Sequence, residues 1–138
     1  MIVSLNFEEI SSLRDGAELA LEPAPAGAAV AAPPEELAHV EALRAAGGDL
    51  SLTTLAEQRS AERALELILS AAHERMDVLV LTQHVGSDDS VNAYFDYAHV
   101  LTVLERVRTA GRRMSAIIEL VTGRTPTAES SADVTFPD

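Results

Sequence analysis

The stretch Asp77-Val78-Leu79-Val80-Leu81-Thr82, DVLVLT, decides the fold. Taken alone it is β-branched and apolar on every side, as a buried strand would be. If it is a central strand, the chain is α/β. Its neighbours favour a helix instead. Ala61, Leu65, Ile68, Ala72, Met76 and Leu79 advance in steps of three and four, and no turn signal falls between Ala61 and Val85. Gly86 is the first breaker. The spacing therefore predicts a helix that starts near Leu55 and continues through DVLVLT to about Gln83 or His84.

Beyond Gly86 the pattern is stronger. Ser87 followed by Asp88 and Asp89 is suited to a helix start, because free N–H groups and the positive dipole end favour a hydroxyl cap and acids in the first turn. Tyr97, Val100, Leu104, Val107, Gly111, Met114, Ile118 and Val121 then hold a 3.5-residue period, until Gly123 and Pro126 close the segment. These two segments predict a long antiparallel helix hairpin, about 54–84 and 88–122.

Working outward, Asn6 with Glu9 reads as a capping box, and Phe7, Ile10, Leu13, Ala17 and Leu21 follow at helical spacing up to Pro23. Pro33-Pro34-Glu35-Glu36 opens another short helix, with Leu37, Val40 and Leu43 as its apolar stripe and Gly47-Gly48 as its stop. Val3-Ser4-Leu5-Asn6 resembles Leu50-Ser51-Leu52-Thr53; each is an alternating triplet before a capped helix, and the two could pair as a minor two-stranded ribbon. The expectation is an all-α fold: a helical bundle built on the hairpin, with two short N-terminal helices. Residues 1–124 read as one domain, 23–34 as a Pro/Ala-rich loop or linker, and 125–138 as a polar tail that is either disordered or pinned by Val134 and Phe136.

Composition removes several chemistries. The 138 residues contain no cysteine, which excludes disulfides, zinc–thiolate sites and thiol nucleophiles. All ten basic residues are arginine, so a lysine Schiff base and a P-loop lysine are excluded. The twenty-three alanines favour close-packed helices over sheet. No segment approaches the ~20 apolar residues of a membrane span, and the first ten residues lack the basic region of a secretory signal. A cytoplasmic protein is the expectation. The net charge of −12 disfavours nucleic acid and anionic lipid and leaves room for a basic partner. It is unevenly spread: residues 1–49 carry nine acids and two arginines, whereas 88–124 carry five of each.

The region His84–His99 holds the residues that could form a site. Asp96 and His99 are neighbours on one helix face, and a carboxylate–imidazole pair can ligate a metal in a bundle when other helices supply more ligands. His73 with Asp77, and His39 on the short helix after Pro34, are the candidates for that role. Against this reading, the heptad pattern places His99 on the solvent side together with Arg106 and Arg113, so the ligands do not converge. No cofactor is expected. The run Arg106–Arg113 reads as a solvated face that balances acids elsewhere in the fold or in a partner. Tyr94, Phe95 and Tyr97 cannot all face one stripe. With Leu101, Val103 and Ile117 off the stripe as well, the hairpin is left with apolar surface to cover.

No nucleophile elbow, dinucleotide fingerprint or phosphate loop is present. The function expected is a non-catalytic protein-interaction module, an adaptor or regulatory subunit, that self-associates as a homodimer through its hairpins. Tyr94, Phe95, Leu101, Arg106, Arg112 and Arg113 are the expected contact residues. The alternative is a bundle that holds a metal or small ligand, or an enzyme, using His73, Asp77, Asp96 and His99. A minor reading is a polyanionic nucleic-acid mimic built on residues 1–49.

Overall fold

In the computed structural model DVLVLT is helical, the last six residues of a helix that runs from Leu55 to Thr82. The structure describes residues 1–22, 32–126 and 134–137. In chain order the elements are β1 (Ile2–Val3), α1 (Phe7–Leu21), α2 (Pro34–Ala45), β2 (Leu50–Ser51), α3 (Leu55–Thr82) and α4 (Asp88–Thr122). The fold is all-α, with α3 and α4 as the long hairpin, α1 and α2 packed on it, and one two-stranded ribbon. Most of the linker stretch, residues 23–31, lies outside the described residues, as do 127–133 and 138 of the tail.

Local signals account for the helix ends. The Asn6 side chain accepts from Glu9 N–H at 2.8 Å while Glu9 Oε1 accepts from Asn6 N–H at 2.9 Å, the reciprocal pair of a capping box. Thr54 caps α3 by accepting from Glu57 N–H. Pro33 is the N-cap residue of α2 and Pro34 its first residue, where a missing N–H costs nothing. Gly123 closes α4 with φ of 71°, a left-handed value that favours glycine.

The ribbon is antiparallel, with Ile2 opposite Ser51 and Val3 opposite Leu50. Its extension comes from Met1 and Leu52, which exchange hydrogen bonds of 2.9 and 2.8 Å. The chain end joins the same corner, where Phe136 N–H donates to Thr53 O and Pro137 O accepts from the Met1 amine. The Phe136 ring is buried with Leu55, Met114 and Ile118 at the open end of the hairpin. The main core lies between α1, α2 and the proximal two-thirds of the hairpin, around Leu13, Val40, Leu65, Ile68, Val100 and Leu104.

Two close approaches set the packing. At Gly16 an added Cβ would stand 2.7 Å from Ile68 Cγ2, so α1 meets α3 where it has no side chain. At Gly111 it would stand 2.5 Å from Cδ of Gln58. The buried Gln58 amide uses that space to donate to Val107 O at 2.9 Å. The 3.5-residue period describes this face incompletely. Val103 and Ala110 lie off the expected stripe and are buried, while Val121, on it, is 71% exposed. The reason is that α4 packs against α1 as well as α3, so its buried face is wider than a two-helix seam.

Candidate functional site

The turn between the long helices is tightly built. Gly86 takes φ of 95°. Ser87 Oγ caps α4 by accepting from Ser90 N–H. The buried Ser90 hydroxyl accepts from Gly86 N–H and lies 3.1 Å from His84 O and 2.9 Å from Ser87 O. Gln83 donates to Asp89 across the turn at 3.1 Å. Asp88 and Asp89 thus have a structural position at the start of α4, as expected for first-turn acids.

Around this turn the hairpin projects beyond α1 and α2. Val78, Leu81 and Val85 on the α3 side are exposed at 50, 85 and 80%. Val91, Tyr94 and Phe95 on α4 are also exposed, as are Ile117 and Leu120 near its other end. An isolated exposed apolar residue is ordinary; here several large ones lie along one hairpin. Of the expected contact residues, Tyr94, Phe95, Arg112 and Arg113 are exposed and Leu101 is half-buried. Arg106 is engaged within the chain. Its guanidinium donates to Ser4 O at 2.9 Å and to the buried Glu9 carboxylate at 2.8 Å, clamping the ribbon and the start of α1 to α4.

The other arginines divide between structure and free surface. Arg108 reaches Glu62 and Glu66 on α3 and Glu105 on its own helix, and these carboxylates hold its guanidinium above its ordinary pKa despite desolvation, the largest contribution, which lowers it. Arg112 and Arg113 make no ion pair among the described residues. Arg113, with Thr102, Arg106 and Thr109, lines one wall of an open groove of about 750 Å³, opposite β1.

The solvent-side position expected for His99 is corrected by α1. Ser12, buried on the inner face of α1, lies 2.8 Å from Asp96 Oδ1 and 2.9 Å from His99 Nδ1. A carboxylate accepts only, and the hydroxyl has a single proton. Ser12 therefore donates to Asp96 and accepts from His99 Nδ1–H. His99 Nε2 faces Glu8 Oε2 at 3.7 Å, and Phe95 stacks on the ring with centroids 6.5 Å apart. Nearby, Asp15 is held above the usual carboxylate range, chiefly by desolvation and then by the Asp96 and Glu18 carboxylates. Ser12 was illegible in the sequence. No local motif marks it, and its role depends on a residue 84 positions away.

The four candidate ligands do not converge on one point. His73 pairs with Asp77 one turn along α3 at 3.3 Å and sets its ring edge-on to Tyr97. Asp96 and His99 close on Ser12. Among the described residues, no three His, Asp or Glu side chains are placed to share a metal ion. No helix among them is long and apolar enough to cross a membrane. Comparison with protein families, curated proteins and solved structures found no match to this chain. The fold therefore defines the class, a small helical bundle with one projecting hairpin, and functional inference rests on its surface chemistry.

Proposed function

We propose that this chain is a non-catalytic protein-interaction module, an adaptor or regulatory subunit, that self-associates as a dimer through its long hairpin. One observation carries the reading. Val78, Leu81, Val85, Val91, Tyr94, Phe95, Ile117 and Leu120 are large apolar side chains left open to solvent along two adjacent helices. A two-fold contact that presents the same face from both subunits is the commonest way to cover such a surface. The absence of cysteine suits a reducing, cytoplasmic setting. Phe136 does not compete for the projecting end, because its ring is seated at the other end of the hairpin.

Light scattering coupled to size exclusion tests the proposal. The full chain at tens of micromolar is expected at twice its monomer mass of 14.7 kDa. A monomer mass at that concentration would refute it.

A further inference from the structure

The outer face of α4 carries exposed apolar side chains towards both ends and threonines near its centre. We infer that a second copy of this chain docks there, with the two α4 helices antiparallel and the two-fold axis passing between Glu105 and Arg106. This rests on the self-association proposed above and assigns its surface and register.

The inference starts from spacing. Residues facing away from α1 and α3 advance along α4 in steps of three, four or seven, the repeat of one helix face. Position 105.5 is within one residue of the midpoint of Asp88–Thr122. Reflection through it sets Val91 opposite Leu120, Phe95 opposite Ala116, and Thr102 opposite Thr109. Five of these six residues are exposed and Thr109 is half-buried. The large apolar side chains thus lie in the two outer thirds, where antiparallel pairing brings them together. The small side chains of Thr102 and Thr109, which also wall the groove opposite β1, occupy the centre.

Charge selects the same arrangement. From Asp88 to Glu105 the helix carries four acids and no arginine; from Arg106 to Thr122 it carries four arginines and one acid. Antiparallel packing lays the acidic half of each helix along the basic half of the other, and it opposes the two helix dipoles. Parallel pairing would instead set Asp88 and Asp89 beside their own copies. Arg112 and Arg113, which make no ion pair within the described chain, lie on or beside this face. The 35-residue helix is about 52 Å long at 1.5 Å per residue, so the contact has length enough for a specific interface.

Cysteine cross-linking tests the register, and the native chain contributes no thiol. Thr102→Cys and Thr109→Cys are made separately, one with a mass tag, and both are checked for native circular dichroism. An oxidised mixture is expected to give a disulfide-linked dimer containing one chain of each. Neither variant alone is expected to link, because seven residues of offset, about 10 Å, exceed the ~7 Å Cα separation that a disulfide tolerates. Val91→Asp and Leu120→Asp are each expected to weaken the dimer at least tenfold, while Ala38→Asp, at an exposed position on α2, leaves it unchanged. Self-linking of either variant alone would overturn the antiparallel register. A wild-type dimer that fails to link in the mixture, or that is lost in Ala38→Asp, would overturn the α4 surface and leave self-association standing. A wild-type monomer would overturn both.

Discussion

The two ends of the α3–α4 hairpin are built from similar residues and treated oppositely. At the proximal end Leu65, Ile68, Val103 and Leu104 are fully buried by α1 and α2, while Phe136 covers Leu55, Met114 and Ile118. At the distal end Val78, Leu81, Val85 and Val91 remain in solvent, although the amino-acid types are the same. Apolar content therefore does not separate a core from an exposed surface in this chain. The difference is the reach of α1 and α2, and that is set by contacts distant in sequence. Burial at about 25 cal/mol per Å² stabilises the proximal end, and the distal end leaves comparable side chains in solvent.

The contrast can be broken most directly by truncating one leucine at each end. Leu104→Ala leaves a cavity among α1, α3 and α4 and is expected to cost about 2–5 kcal/mol in denaturant unfolding. Leu81→Ala is expected to stay within about 0.5 kcal/mol. Equal losses would mean that Leu81 is covered in solution, by the same chain or by a second copy. Phe136→Ala should cost about 1–3 kcal/mol, below the usual loss for a buried aromatic because the tail can lift away instead of leaving a void. An unchanged melting temperature would remove the tail from the account of the proximal end.

Gly111→Ala sharpens the comparison at the helix–helix contact. The added methyl would displace the Gln58 amide from Val107 O, and a loss of about 1–2 kcal/mol is expected despite alanine's better helix propensity. A stabilised variant would show that Gln58 can relocate freely. The smallest effect is expected at Asp15. Its carboxyl is raised above 3.8, so the folded state holds this proton more tightly than the unfolded state does. Its contribution to stability is present below 3.8 and is lost as pH rises through the raised value. Asp15→Asn should therefore stabilise slightly at neutral pH, within about 0.5 kcal/mol, with the gain vanishing in acid. A gain that persisted below pH 3.8 would assign the effect to packing instead of charge.

What the sequence revealed follows the range of the interactions involved. Asn6 with Glu9, Ser87 and Gly123 act over three or four residues, and all are legible in the sequence. Thr54 with Glu57 reads as a second capping box, but the Glu57 carboxylate accepts from the N–H and hydroxyl of Thr53. DVLVLT was legible through its context, because the three- and four-residue steps before it continue without a stop. The ribbon was legible as two similar triplets, although β1 falls at Ile2–Val3, one residue before the triplet. The heptad pattern places His99 on the solvent side because a 3.5-residue period describes two helices in contact, and α1 adds a third. Arg106 was legible as part of a basic run, yet its partners Glu9 and Ser4 lie 97 and 102 residues away and no pattern names them.

The corner where Met1, Leu52, Thr53 and Phe136 meet also sets how the molecule answers tension. A pull on residues 1 and 137 loads a few hydrogen bonds at the ribbon and tail one after another, and not the helical core all at once. The ends then peel at low force, first the tail and then β1. Once β1 is free, the Arg106 clamp and α1 follow. The α3–α4 hairpin, whose contacts run along its whole length, yields last, so a stretched molecule would still present α4.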